Sequence, residues 1–341
     1  MDESERPKAR IVLPEGRTAI LLAAFNGAAY LEEQLESLEH QSRRDFTCFI
    51  HDDNSTDETP QIAADWCAAH PEHFVYLGSE RIGGAKRHFL YLLQQVEADE
   101  VMLCDQDDVW FPQKLEKTLH AMRKAESSAK KGAVCVFSDA TVTDEQLKVR
   151  NESFWDYSGI RPERLELEDL LYQNPAPGCT MMINRPLRNF FMRGMELHPE
   201  IPEQIRMHDW YLMLLAAACG RLVRIPEPLM YYRQHGANTV GAGARRSLPQ
   251  QILRLFQWKA WIQEKRDYFA VRKGNALALE SALTCLIAGD DASGSDLGVN
   301  SSQICRSLQT VRRFLHRQEA PLVIRLGRLY RWKLYGCRRQ S

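Results

Sequence analysis

Glu100-Val-Met-Leu-Cys-Asp105-Gln-Asp107-Asp108-Val-Trp110-Phe-Pro112 is the stretch whose reading decides the fold. Val101 to Cys104 is a short apolar run, the length of a buried strand. It leads into three carboxylates within four positions, Asp105, Asp107 and Asp108. Pro112 then opens a helical pattern, with Leu115, Leu119 and Met122 at i, i+4 and i+7. Proline in a first helical turn costs nothing, because its missing N–H has no intrahelical partner there. The carboxylates therefore fall on a strand-to-helix loop, at the carboxyl end of a strand, which is where open α/β sheets bind ligands. Clustered carboxylates repel one another unless a cation lies between them. Mg²⁺ or Mn²⁺ with a diphosphate suits such a site, since these hard ions take one or two carboxylates plus phosphate oxygens. The plainer alternative is a solvated acidic turn, and the apolar strand in front argues against it.

The chain has 341 residues, 44% of them apolar, enough for one large domain or for a domain with an appendage. A net charge of −1 points to no special partner. Nine cysteines lie scattered without a C-x-x-C pair, a pattern of reduced cytosolic thiols rather than of disulfides or zinc ligands. The polar amino terminus, Met1-Asp-Glu-Ser-Glu-Arg-Pro-Lys, carries no signal-peptide pattern. The longest apolar run, Trp210 to Cys219, is far short of the roughly 20 residues that span a membrane. The expected location is cytoplasmic.

Thr18 to Phe25 is continuously apolar and reads as a central strand, ended by the turn Asn26-Gly27. Leu31, Leu35 and Leu38 follow at helical spacing. Thr47 to Ile50 is a second strand ending in His51-Asp52-Asp53, and Phe74 to Leu77 is a third. Gly83-Gly84 marks a loop before a helix from His88 to Val96. Strands and helices alternate four times in the first 125 residues, which implies a parallel sheet covered on both faces. Two carboxylate-bearing strand ends, at 52–53 and 105–108, then share one edge, across which a nucleotide fits. Taken alone, Asp52-Asp53 also reads as a helix-capping turn. Further on, Ala133 to Phe137 reads as a strand, Asn174 to Ile183 as a turn followed by a strand, and Met207-His208-Asp209-Trp210 opens an apolar helix closed by Gly220 as a left-handed C′ residue. Leu222–Ile225 and Leu229–Tyr232 are extended, separated by Pro-Glu-Pro. Gly241 to Pro249 reads as a linker, the chain from 250 onward as helical, and Asp290 to Ser302 as a loop.

These pieces resemble family 2 of the inverting glycosyltransferases, with the GT-A fold. The matching segments are AAFNG (23–27), HDDNSTDET (51–59), CDQDDVWFPQKLE (104–116), NPAPGCTMMINR (174–185), HDWYLMLLAAACGRL (208–222) and EPLMYYRQHGAN (227–238). HDW with YRQHGAN is most similar to bacterial rhamnosyltransferases of surface-polysaccharide synthesis. The resemblance implies a mostly parallel α/β sheet flanked by helices over residues 1–240, with a helical extension over 241–341. It implies a nucleotide-sugar donor, dTDP- or UDP-linked, and a saccharide or lipid-linked saccharide acceptor. Residue by residue, Asp105-Gln-Asp107 resembles the D-x-D motif. Asp107 would bind the divalent metal, Mn²⁺ or Mg²⁺, with Asp105 near the metal or the ribose. Asp53 with Asp52 matches the nucleobase contact, and Asn26 lies on the first nucleotide loop. Lys86 is a further nucleotide-sugar candidate. Asp209 matches the catalytic base. Many relatives carry Glu-Asp where this chain carries His208-Asp209, so His208 inherits no role, and Ala24-Phe25-Asn26 replaces a common Thr-Tyr-Asn.

Inverting transfer is a single displacement at the anomeric carbon, and a carboxylate within reach of the acceptor hydroxyl suffices as base. Asp209 at a helix N-terminus has its anionic form stabilised there; a helix-capping role is the alternative. Charge develops on the leaving diphosphate, and a cation neutralises it. His235 is the candidate for a further metal or phosphate contact and Arg233 for a bidentate diphosphate contact. Trp110 reads as core, and Trp210 as core or sugar platform.

Residues 312–339 hold nine Lys/Arg and one acid among interleaved apolar residues. Such a helix either lies peripherally on the inner face of an anionic membrane or packs on the domain. Nucleic acid is disfavoured, because no basic surface extends it. A nucleotidyltransferase is a second function class, but its Gly-rich basic phosphate loop is missing after the first strand. A non-catalytic carbohydrate-binding protein is a third, opposed by the presence of Asp107 and Asp209. No G-x-G-x-x-G supports a dinucleotide enzyme.

Overall fold

A computed structural model describes residues 10–127, 132–236, 258–288 and 301–335. The strands are β1 (Ile11–Val12), β2 (Thr18–Ala24), β3 (Phe46–Asp52), β4 (Phe74–Ser79), β5 (Val96–Glu97), β6 (Glu100–Asp105), β7 (Val109–Trp110), β8 (Val134–Thr143), β9 (Val149–Asn151), β10 (Met181–Asn184) and β11 (Arg221–Arg233). One large sheet runs β4-β3-β2-β6-β10-β8-β11-β7, with β9 beside β8. Its first four strands are parallel, as the β-turn-α alternation requires. Beyond β6 the sheet is mixed: β10 is antiparallel to both β6 and β8, and β11 runs parallel to β8.

Register decides where the chemistry falls. Ala24 lies beside Asp52 and Ala23 beside Asp105, so the carboxyl ends of β2, β3 and β6 are level. Three loops therefore open on one sheet edge. The central position of β2 follows from its sequence. Ala19 to Leu22 are fully buried, and only a strand covered on both faces tolerates so unbroken an apolar run. At the far edge β7 pairs with β11, Trp110 opposite Met230. That pairing folds the segment after Asp108 back against the end of β11, where Arg233 and His235 lie.

Leu222 to Tyr232 forms one strand rather than two. Register shifts at Ile225/Pro228 and Pro228/Tyr231 absorb Pro226 and Pro228, which cannot donate to the ladder. Gly220 has φ −151, so the left-handed C′ expectation is wrong. Glycine is required there by space: a Cβ would stand 1.9 Å from the Ala133 carbonyl oxygen.

The helix His208–Cys219 is apolar on every side because it is enclosed. Strands β8 and β11 lie on one side, and the C-terminal helices Trp258–Ala288 and Ser301–Gln318 on the other. Phe269, Leu279 and Leu283 of the first helix, and Ile304, Val311 and Phe314 of the second, belong to the same buried cluster as the sheet. Polar ties add to this. Gln303 Nε2 donates to the Gly220 carbonyl at 3.0 Å and Ser307 Oγ to the Ala218 carbonyl at 2.8 Å, satisfying carbonyls at the end of that helix. Among the basic residues after 312, Arg312 pairs with Glu280 and Arg317 with Glu168, while Arg325 lies over the Phe269 ring. No helix among the described residues is long and apolar enough to cross a membrane. The expected linker at 241–249, most of the expected loop at 290–302 and the last basic side chains lie outside the described residues.

Phe314 tests how far this extension is integrated. It is 1% exposed and packs edge-on against Tyr172, ring centroids 5.2 Å apart. Phe314→Ala is expected to cost about 3–5 kcal/mol, read as one cooperative transition in chemical denaturation. A separate low-stability transition, with the main one unmoved, would show that the extension folds on its own.

Candidate active site

The first loop and the carboxylate loop are locked together. Gln106 Oε1 accepts from the Phe25 N–H at 2.7 Å, and Gln106 Nε2 donates to the Phe25 carbonyl at 2.8 Å. Gly27 is forced by this closeness, since a Cβ would lie 2.1 Å from Gln106 Oε1. Asn26 has φ +47, a left-handed conformation that asparagine tolerates, and its Oδ1 accepts from the Thr56 N–H at 2.9 Å. Phe25, 53% exposed, is left standing at the rim.

The second loop is built round two neighbouring carboxylates with different tasks. Asp52 is fully buried and accepts from Ser55 and Ser79. Asp53 accepts from the N–H groups of Ile82, Gly83 and Gly84. Burial alone would raise the Asp53 pKa, but these backbone donors outweigh it and hold the carboxyl below its ordinary range. The N–H groups of Gly83 and Gly84, each at positive φ, are thereby fixed beneath the cleft.

The third loop carries the acidic cluster. Arg233 acts as its clamp. Its Nε donates to the Asp107 carbonyl at 2.7 Å, its backbone N–H to Asp108 Oδ1 at 3.2 Å, and its guanidinium also reaches Glu33 and the Glu145 carbonyl. The same guanidinium stacks on Tyr30, 4.9 Å from the ring centroid. His235 Nε2 meets Asp107 Oδ2 at 2.7 Å, and its ring also packs on Tyr30, centroids 4.8 Å apart. Behind them Asp108 is fully buried with Oδ2 lacking a partner, beside Cys179 and the buried Lys114. Burial, with Asp107 close by, pushes Asp105 up to about 7, and burial with the neighbouring carboxylates drives Asp108 well above its usual range. Burial lowers the Lys114 ammonium to about 8.

Asp209 opens the helix His208–Cys219 and faces the same cleft. Burial pushes it up to about 6, and the Trp210 N–H, the Asn174 amide and the Gly178 N–H limit the rise. His208 beside it is 3% exposed, packed on Phe89 with ring centroids 4.4 Å apart, and burial lowers it to about 3. Neither ring nitrogen of His208 has a hydrogen-bond partner. Leaving such a buried group unpaired costs about 1–3 kcal/mol.

These loops surround one cleft of about 1270 Å³. Asn26, Asp53, Asp105, Asp107, Asp209 and His235 lie on its wall together. Asp52, Lys86 and Arg233 do not. Asp52 is turned into the protein by its two serines, and Lys86 Nζ donates to the Pro202 and Ile205 carbonyls. Arg233 donates to the Asp107 and Glu145 carbonyls and to Glu33. Trp110 is buried, with Lys114 Nζ 4.5 Å from its ring centroid. Trp210 borders the cleft while its Nε1 donates to the Leu170 carbonyl at 2.7 Å. Sequence reasoning missed Tyr30, Asn174 and Gly178, and with them Arg81 and Arg206, which bring cationic side chains to the cleft wall. Asn174 was visible only as part of a turn; its contact with Asp209 joins residues 35 apart.

The residues fit a divalent ion. Ligand atoms of Asp105, Asp108 and Cys179 lie within 4.8 Å of one another, and the orphaned Asp108 oxygen and the raised carboxyls mark charge in want of a cation. The Cys179 thiol is driven far up by burial and stays protonated, so oxygen atoms are the usable donors, the choice of Mg²⁺ and Mn²⁺.

Fold and cleft are those of a glycosyltransferase. A family model described as "Glycosyl transferase family 2" matches residues 19–191. Among curated relatives, the "dTDP-rhamnosyl transferase RfbG" of Shigella flexneri is 27% identical over 76% of this chain and 86% of its own. The "Putative teichuronic acid biosynthesis glycosyltransferase TuaG" of Bacillus subtilis is 30% identical over 79% of this chain and 92% of its own. Among solved structures, S. aureus TarS 1–349 aligns with TM-score 0.52 at 13% identity, covering 93% of this chain and 74% of that one. The chain belongs to glycosyl transferase family 2.

The clamp has a measurable consequence. Arg233→Ala should cost about 3 kcal/mol, since it strips partners from a buried loop. It should also weaken Mn²⁺ binding, read by calorimetry, without any cleft-lining residue having been changed. Unaltered melting temperature and Mn²⁺ affinity would contradict the clamp.

Proposed function

We propose that this glycosyltransferase moves a sugar, rhamnose, from a dTDP- or UDP-linked donor to a hydroxyl of a saccharide or lipid-linked saccharide. The transfer inverts the anomeric centre and serves cell-surface polysaccharide synthesis. The observation that carries this reading is the meeting of Asp209 with the Asp105, Asp107 and His235 group across one cleft. The similarity to the rhamnosyl transferase of Shigella flexneri supports the sugar and nucleotide. The similarity to the teichuronic acid enzyme of Bacillus subtilis supports a polymeric surface acceptor.

Asp105 and Asp107, with His235 against Asp107, would hold the divalent ion and through it the diphosphate. When bound, that ion neutralises charge developing on the leaving phosphate. Phe25, Asn26 and the Asp53-held Gly83-Gly84 loop lie where the nucleoside enters. Arg81 and Arg206 supply the cations that Arg233 cannot spare. Asp209 takes the proton of the attacking hydroxyl. A carboxyl raised to about 6 is mostly ionised at pH 7 and a better base than an ordinary one.

Asp209→Asn keeps shape and removes the proton acceptor. Transfer should fall about 10²–10⁴-fold while UDP or dTDP binding with Mn²⁺ is kept. In the unmodified chain kcat/KM should rise with pH through about 6 and then level, because the base is lost on protonation below that value. Near-normal turnover in Asp209→Asn would return Asp209 to a helix-capping role.

For the acceptor's sake we also propose peripheral contact with an anionic lipid surface on the cytoplasmic side. In the helix Leu322–Tyr335, Val323 and Ile324 are exposed, and the sequence around them carries Arg325, Arg328, Arg331 and Lys333. Val323→Glu with Ile324→Glu should abolish sedimentation with vesicles containing phosphatidylglycerol. Equal sedimentation of both forms would exclude this contact.

A further inference from the structure

His208 is a polar group in the cleft that the reaction described above does not use. A buried imidazole normally donates one N–H to a carbonyl or carboxylate, which fixes its tautomer. Here both nitrogens are covered and lack any hydrogen-bond partner, while the ring borders the cleft. One face rests on Phe89. Gly178 lies beside the ring, where a Cβ would come within 3.0 Å of His208 Nε2.

The position is informative. The same point above Gly178 is 3.5 Å from the Asp209 Cβ and 3.6 Å from Leu103 Cδ1, and Leu103 lies on β6 two residues before Asp105. His208 thus lines the cleft next to Asp209, and Asp105 and Asp107 line the same cleft. In a single displacement the sugar being transferred lies between the leaving diphosphate and the base. Its exposed chemistry is hydroxyl groups, which both donate and accept. A neutral imidazole, one nitrogen bearing hydrogen and the other bare, pairs with a hydroxyl in either tautomer. Burial keeps this imidazole neutral across the working range.

We propose that His208 hydrogen-bonds a hydroxyl of the donor's sugar and so helps to select which nucleotide sugar the enzyme uses. This rests on the glycosyltransferase reading given above. The group beside the base is then polar and uncharged.

The test compares sugar recognition with nucleotide recognition in the full-length chain. Calorimetric titrations with Mn²⁺ use UDP, UDP-glucose, dTDP and dTDP-rhamnose, on the unmodified chain and on His208→Phe, His208→Asn and His208→Gln. Phe keeps a flat ring and loses the hydrogen bond; Asn and Gln offer an amide near one or other ring-nitrogen position. His208→Phe should bind UDP and dTDP within twofold of the unmodified chain. For the preferred nucleotide sugar, the affinity ratio over its bare diphosphate should drop about tenfold, the size of one hydrogen bond. One of the two amide variants should recover part of that ratio. An unchanged ratio in His208→Phe would overturn the proposal. So would a parallel loss for diphosphate and nucleotide sugar, which marks a merely structural residue. Should His208→Phe fail to fold, the amide pair decides: a difference in ratio between Asn and Gln supports the contact, and identical unmodified-level ratios in both refute it. If the unmodified chain bound none of the four ligands, the donor reading itself would fall, and this inference with it.

Discussion

The repulsion among Asp105, Asp107 and Asp108 is the constraint on which the rest of the structure depends. Three carboxylates in one loop, with little water to screen them, cannot all be ionised at low cost. The protein answers in two ways. It surrounds the loop with Arg233, His235 and the buried ammonium of Lys114. It also holds the Asp105 and Asp108 pKa values above the ordinary range, through burial first and the nearby Asp107 next. A folded-state pKa above the unfolded one means the native protein holds its proton more tightly, so such a group favours folding most at low pH. For Asp105 that contribution is lost as pH rises from about 4, an ordinary Asp value, to about 7. A bound divalent cation removes the penalty, which is how a cluster costly to stability serves a site.

The same clamp ties distant parts of the chain into one cavity. Arg233 ends β11 and His235 follows it, Tyr30 comes from the first β-turn-α unit, and the pairing of β7 with β11 brings them together. Asp209 is held from the other side. Its helix is enclosed by the sheet and by the two C-terminal helices, and Asn275 accepts from the Arg206 N–H just ahead of it at 2.8 Å. The C-terminal region is therefore part of what positions Asp209.

Much of this was legible in the sequence. The unbroken apolar run of Thr18–Ala24 and the Pro-opened helix after Asp108 are local signals, and they placed the first four strands and the carboxylate loop correctly. The roles of individual polar residues were harder to read. Asp52 and Asp53 are identical neighbours, yet strand alternation turns one onto buried serines and the other toward the cleft. Arg233 reads as a phosphate ligand in the sequence, which gives no sign of its partners at Glu33 and Glu145, 200 and 88 residues away. Gly220 was recognised as the end of a helix for the wrong reason: the Ala133 carbonyl that demands glycine comes from β8 and has no trace in the local sequence. Contacts set by sheet register are invisible to patterns read one segment at a time.

The claim at the centre is that a divalent cation with a nucleoside diphosphate displaces protons from this carboxylate cluster. Calorimetric titration of Mn²⁺ and UDP at pH 6, repeated in buffers of different ionisation enthalpy, counts those protons directly. Because Asp105 is raised to about 7, binding at pH 6 should release about one proton, and the release should fade toward zero by about pH 9. Tight binding at pH 6 with no proton release, or with uptake, would contradict the account and place the cation elsewhere.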